Sequence, residues 1–285
     1  MNILTKTIYG EFFVDPVYDK KMSGQLARGK HPNAALVELA REFTGKESVV
    51  LDIGAHIGTF AIPISRSVAR VVAFEPSAET FATLKRNALQ NSCDIDTRNK
   101  ALGARAGQGS MAHRNAANAG AHSLVPGSDV AIGTLDQEVP RADFIKIDVE
   151  GMEAEVFAGG AALIERCRPV IFFELNLSQL RAHGASPRQL ARFFTARGYR
   201  LYLPIEKREG SYELARVRGL TLITALIAPR AWALRTDSAP FDILAVPREC
   251  KRGYCARSVG YAAAYAIGNN LAVKARRLTG RYKKV

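Results

Sequence analysis

Residues 49 to 60 read VVLDIGAHIGTF. Three apolar residues, then Asp52, then two glycines four apart and an apolar continuation describe a buried strand that turns through a glycine loop into a helix. Gly54 lets the backbone leave the strand in a conformation that a Cβ obstructs. Gly58 lets the helix start close against a ligand and the sheet. A second apolar run, VVAFEP, ends in Glu75 and Pro76, seventeen residues past Gly58. A carboxylate at the end of the second strand of such a unit can accept hydrogen bonds from both ribose hydroxyls of an adenosine.

The loop argues against a dinucleotide. A pyrophosphate fingerprint runs G-x-G-x-x-G, whereas this chain has D-x-G-x-x-x-G, with Ala55 and His56 between the glycines. Asp52 at the strand's end repels pyrophosphate but suits a cofactor that carries an ammonium and a sulfonium. S-adenosylmethionine is that cofactor. His56 reads as a loop residue pointing at solvent.

The remaining composition bounds the answer. At 285 residues, 47% hydrophobic and 24% charged, the chain is sized for one large α/β domain with appendages. The apolar run from Leu220 to Ala228 meets Pro229, far short of the roughly 20 residues a spanning helix needs. The first residues, MNILTKTIYGEFF, have no basic start, apolar stretch or small-residue cleavage site, so a cytoplasmic location is expected. Cysteines at 93, 167, 250 and 255 form no C-x-x-C and have no histidine at zinc-ligand spacing, so no metal site is expected. The net charge of +13 is uneven: from Arg248 onward ten lysines and arginines face one glutamate, giving +9 and leaving +4 for residues 1 to 247.

Along the chain, residues 1–48 carry a hairpin around Gly10 and a helix over Ala34 to Phe43. Residues 49–247 hold the main domain. After the first strand comes a helix from about Thr59 to Val68, then the strand Val71 to Glu75, then a helix capped by Ser77. A third strand falls within Ile95 to Leu102. Its end, Asn99 to Leu102, belongs beside the adenine, where a backbone amide or the Asn99 side chain could read the ring's edge; a simple strand end is the alternative. Residues 103–140 are rich in Gly, Ala, Asn and Ser, and read as short strands and loops inserted over the crevice on the substrate side. His113 and His122 within them read as solvated loop residues rather than proton acceptors.

The fourth strand is the second informative stretch, ADFIKIDVEGMEAEVFAGG. Lys146 and Asp148 intrude on apolar residues, Asp148 falls at the strand's carboxyl end, and Glu150 is placed at a helix N-terminus, where the dipole favours an anion. A fifth strand, PVIFFELN, brings Glu174 to its own carboxyl end. Three acids around one crevice point to a functional site. A helix from Pro187 to Arg197, the strand YRLYLPI, a long connection over Lys207 to Pro240 and a closing strand Phe241 to Pro247 complete a doubly wound, mostly parallel sheet of six or seven strands.

VVLDIGAHIGTF, FEP, RNKALG, TLD at 134 to 136, IKIDVEGMEAEVFAGG and the later FFE together resemble the FkbM family of S-adenosylmethionine-dependent methyltransferases. The resemblance covers about Val49 to Glu174, and IKIDVEG-x-E is its most specific part. It implies a Rossmann-like class I methyltransferase fold and O-methylation of a hydroxyl on a sugar, glycan or secondary metabolite. On the family pattern Asp52, Gly54, Ala55, Gly58, Glu75 and Pro76 hold the cofactor, joined here by Thr59, Asn99 and Ala101 on the same turn and strand end. Asp148, Glu150 and Glu174 stand by the methyl-transfer locus as the candidate catalytic residues.

Other classes fit less well. A pI of about 9.8 suggests a nucleic-acid methyltransferase, yet the chain has no [ND]-P-P-[YF] element, and the Lys-Asp-Lys-Glu set used on ribose hydroxyls is incomplete. The loop disfavours an NAD-dependent dehydrogenase, and nothing in it suggests a binding module that has lost its cofactor. The basic tail, 248–285, reads either as a helix lying on an anionic membrane at the inner face, or as a solvated or docked segment.

Overall fold

A computed structural model describes residues 3–113, 122–206, 212–217 and 241–250. The basic stretch 251–285, where a membrane-surface helix was one expectation, lies outside the described residues. Among those that are described, no helix is long and apolar enough to cross a membrane.

The stretch at 49 builds β3 (Val49–Ile53), the middle of five parallel strands in an eight-stranded sheet. On one side lie β4 (Arg70–Phe74) and β5 (Asp96–Arg98). On the other lie β9 (Phe144–Ile147) and β10 (Val170–Leu175), all five parallel. Beyond β10 come β13 (Phe241–Pro247), β11 (Tyr199–Glu206) and β12 (Tyr212–Val217), each antiparallel to its neighbour. The strand order reverses between β3 and β9, and in an open α/β sheet such a reversal opens a crevice at the carboxyl ends of the strands.

Both faces are covered, which is why the central strands are apolar at nearly every position. Val50, Val71, Phe144 and Leu244 pack under α2 (Ala34–Phe43), α3 (Ala61–Ser65) and α4 (Ala78–Gln90). Leu51, Val72, Ile145 and Phe173 pack under α6 (Glu153–Gly159), α7 (Ala161–Cys167) and α9 (Pro187–Ala196). Local signals place several ends: the side chain of Ser77 caps α4, and Ser186 with Gln189 forms a capping box ahead of Pro187.

Four expectations need correction. The third strand is split: β5 pairs with β4, whereas β6 (Ala101–Leu102) leaves the sheet to pair with β8 (His122–Gly133). The insertion is not short strands and loops but a long antiparallel pair, β7 (Gly107–His113) and β8 (His122–Gly133), followed by the short α5 (Leu135–Glu138). Its Gly- and Ser-rich strands carry little intrinsic β signal, so pairing rather than propensity makes them. The helix after the glycine loop spans only Ala61–Ser65, and the sheet has eight strands because Tyr212–Val217 pairs at its edge. Four helices have no counterpart in the sequence reading: α1 (Lys20–Ala27), interrupted by Gly24, α5, α7 and α8 (Leu177–Ala182).

Candidate active site

Register sets the site. Ile53 pairs with Phe74 and Ile147, and Phe173 pairs with Ile147. The next residues therefore bring Glu75, Gly54, Asp148 and Glu174 into one row along the sheet's carboxyl edge. At about 4.8 Å per strand the row from β4 to β10 is roughly 14 Å long. It lies along a crevice of about 430 Å³. Of the candidate cofactor residues, Gly54, Ala55, Thr59, Glu75, Pro76 and Ala101 line it. Asp148, Glu150 and Glu174 line its other end.

The glycine turn is left-handed at both glycines, with φ of +77° at Gly54 and +90° at Gly58. A Cβ on Gly54 would strike the carbonyl oxygen of Asp148. Only glycine lets the turn pass so close to the end of β9. A Cβ on Gly58 would meet Leu84 Cδ1 at 2.8 Å and Ile62 Cδ1 at 2.9 Å. Gly58 thus serves the packing of α3 on α4 and does not line the crevice, a correction to its expected place against the ligand.

Glu75 is buried, and each of its oxygens accepts one backbone N–H: Oε2 from His56 and Oε1 from Ser77, both at 2.9 Å. A carboxylate has about four acceptor sites, so one remains on each oxygen for two neighbouring hydroxyls. Burial nonetheless pushes Glu75 above the usual carboxylate range. Further donors in the crevice would satisfy it. Asn99 does not line the crevice; its amide donates to Glu75 O at 2.9 Å and Pro76 O at 3.0 Å. It stops β5 and holds the strand end that presents Glu75, rather than facing an adenine.

Asp52 is fully buried below the turn and does not line the crevice. Its Oδ1 lies 3.1 Å from Nζ of Lys146, its lateral neighbour on β9. The expected contact of Asp52 with a cofactor's ammonium or sulfonium is therefore replaced by a buried ion pair. Lys146 also donates to Gly54 O at 2.6 Å and lies 3.8 Å from Asp148 Oδ2. Burial works against its charge, but Asp52 and Asp148 hold the ammonium above its ordinary range.

Glu150 does not stand at a helix N-terminus. The helix begins at Glu153, and Glu150 sits in the preceding turn at φ +53°, followed by Gly151 at +106°. The turn lies on α8: a Cβ on Gly151 would be 2.7 Å from Gln179 Cβ, and the Gln179 amide donates to Glu150 Oε2. Glu153 is buried behind it, pushed up to about 7 by burial, with Oε1 accepting from Gly151 N at 3.1 Å. His56 does not point at solvent either. Its Nε2 lies 3.2 Å from Oδ2 of Asp19, the N-cap of α1, and both side chains are mostly buried. Asp19 and Lys146 are the participants that sequence reasoning missed. An Asp before a helix-compatible run and a lysine inside an apolar strand were the available signals.

Burial among Asp148, Asp242 and Glu150 pushes the Glu174 carboxyl up to about 9, so at neutral pH it is a neutral acid. The folded chain then holds this proton more tightly than the unfolded chain, whose carboxyl has the ordinary value of 4.5. The resulting stabilisation is complete below that value and is lost as pH rises toward 9. Glu174→Gln is expected to raise the unfolding temperature at pH 8 by several degrees and to leave it unchanged at pH 4. Thermal scans across that range would show an equal shift at both pH values if Glu174 titrates normally.

Residues 52–201, more than half of the chain, match the profile of the methyltransferase FkbM domain. The chain belongs to the FkbM methyltransferase family. The S-adenosylmethionine expected from its glycine turn and Glu75 agrees with that membership. The FkbM-family chain is 30% identical over 131 residues to the hexuronic acid methyltransferase AglP of Haloferax volcanii, a match covering 44% of this chain and 54% of that protein. It thus spans about half the length of this curated relative. Among solved structures it is similar to a methyltransferase FkbM from Methylobacillus flagellatus, with TM-score 0.34 and 19% identity over 45% of this chain and 32% of that one. It is also similar to the Pyrococcus abyssi tRNA (uracil-54, C5)-methyltransferase in complex with S-adenosyl-L-homocysteine, with TM-score 0.38 and 15% identity over 64% and 36%.

Proposed function

We propose that this chain is an S-adenosylmethionine-dependent O-methyltransferase acting on a hydroxyl of a sugar, glycan or secondary metabolite. One observation carries the reading: a carboxylate with two acceptor sites left, Glu75, and a carboxylate at the strand crossing, Asp148, open into the same crevice on either side of the Gly54 turn. Bound S-adenosylmethionine supplies an electrophilic methyl group. Glu75 takes the ribose hydroxyls, and the Gly54–Ala55 turn leaves room for the rest of the cofactor. Asp148 accepts the acceptor hydroxyl's proton as the new bond forms, typically about 10²–10⁴-fold in rate. Glu174, as a neutral acid, donates a hydrogen bond to a neighbouring acceptor oxygen. Substrate positioning falls to the same edge and to Met111 and Leu124 of the β7–β8 pair.

The crevice favours a small acceptor over a nucleic acid. Among the described residues its lining holds six acids, three lysines and no arginine, so a polyanion meets repulsion where its backbone needs cations. Incubation with methyl-labelled cofactor and separated cell glycans, small metabolites, lipids and RNA tests this. Label entering the glycan or metabolite fraction is expected, and label entering RNA alone would overturn the reading.

A further inference from the structure

We propose that Lys146 is a positioning residue that ties the Gly54 turn to Asp148, so that the cofactor cradle and the proton-accepting carboxylate are set as one unit. The inference rests on the methyltransferase reading of the crevice and goes beyond it in naming what aligns its two halves.

The row of laterally paired residues is Phe172 on β10, Lys146 on β9, Asp52 on β3 and Ala73 on β4. Adjacent paired residues point to the same face of a sheet. Phe172 and Ala73 belong to the apolar core on that face. Lys146 and Asp52 are thus a charged pair in an apolar row, 5% and 0% exposed. Such a pair adds little to stability, since an apolar pair of similar volume generally does as well or better. Its geometry offers the better account. The ammonium donates a hydrogen bond to Gly54 O at 2.6 Å and stands at ion-pair distance from two carboxylates, Asp52 Oδ1 at 3.1 Å and Asp148 Oδ2 at 3.8 Å.

Each of the three has a separate task. Asp52 anchors the ammonium in the sheet. The Gly54 carbonyl belongs to the left-handed residue on which the turn pivots, so holding it fixes the path of the cradle. Asp148 stands at the crevice with its side chain 41% exposed, and the ammonium restrains the carboxylate from one side while leaving it open to an incoming hydroxyl.

The test compares wild type with Lys146→Met, which keeps the length of the stem, and with the double variant Asp52→Asn/Lys146→Met, which also removes the orphaned carboxylate. Two readouts are used: calorimetry with S-adenosylhomocysteine, and labelled-methyl transfer to the fraction that accepts it. In the double variant the unfolding temperature is expected to return to within a few degrees of wild type. Transfer stays at least a hundredfold down, in kcat rather than in the KM for the acceptor fraction, and S-adenosylhomocysteine binding stays at least tenfold weaker. Near-normal kcat in the double variant would mean that Lys146 only neutralises Asp52, and the proposal falls. It falls too if neither variant folds, because stability would then be the lysine's task. If wild type labels no fraction, the methyltransferase reading fails by itself. Calorimetry then decides for Lys146, since equal affinity in the double variant and wild type would overturn its role in holding the turn.

Discussion

Gly54→Ala is expected to weaken S-adenosylhomocysteine binding by at least a hundredfold, about 2.8 kcal/mol, and to remove methyl transfer with it. Two costs add. A left-handed backbone at alanine costs roughly 1–2 kcal/mol, and position 54 is held at φ +77°. The new methyl would also collide with the backbone carbonyl of Asp148, closer than a Cβ can stand to a backbone atom, so the end of β9 must move. That movement pulls on Lys146, which donates to Gly54 O, and on Glu75, which is reached through the N–H of His56 in the same turn. Calorimetry gives the affinity, and thermal unfolding gives the part of the loss due to the fold. Affinity within threefold of wild type would place the cofactor elsewhere.

Asp148→Asn is expected to cost 10²- to 10⁴-fold in kcat while leaving S-adenosylhomocysteine affinity within a few-fold. The amide keeps the shape of the side chain but no longer takes a proton, and the cofactor-side residues at Gly54, Ala55 and Glu75 are untouched. Glu150→Gln serves as the comparison. Glu150 is already engaged by the Gln179 amide, so its loss should loosen the turn and reduce turnover by less than the loss of Asp148 does. Should the two effects come out reversed, the proton acceptor is Glu150.

The central unit was legible because its signals are short-range. Apolar residues closed by Asp52 and Gly54 specify a strand and turn within a few residues, and the helix Ala34–Phe43 appears with the bounds its apolar spacing predicts. The Ser186–Pro187 start of α9 is equally local. Glu75 could be assigned to the crevice because a strand, helix and strand of this length return the chain to the same edge. Asp148 and Glu174 follow by the same rule, since a parallel sheet brings every carboxyl end to one side.

What failed were assignments that depend on a side chain's partner. Asp52 reads as an acid facing a cation, and it does face one, but the cation is Lys146, 94 residues later on the neighbouring strand. Asn99 reads as a polar group at a ligand site, yet its amide is taken by the carbonyls of Glu75 and Pro76. His56 has Asp19 beside it because a helix that Gly24 obscures docks there. Glu150 reads as the start of a helix; its contact with Gln179 accompanies a left-handed turn that puts the helix three residues later.

The sequence by itself determined the strand-turn-helix cradle, the spacing to Glu75 and the row of acids along one edge, because hydrophobic period and glycine placement act over a few residues. Only the tertiary structure decided which of those acids open into the crevice and which are buried against a lysine. Strand register, which no local pattern encodes across 94 residues, chooses each charged group's neighbour, and in a buried sheet that neighbour determines whether the group can meet a ligand.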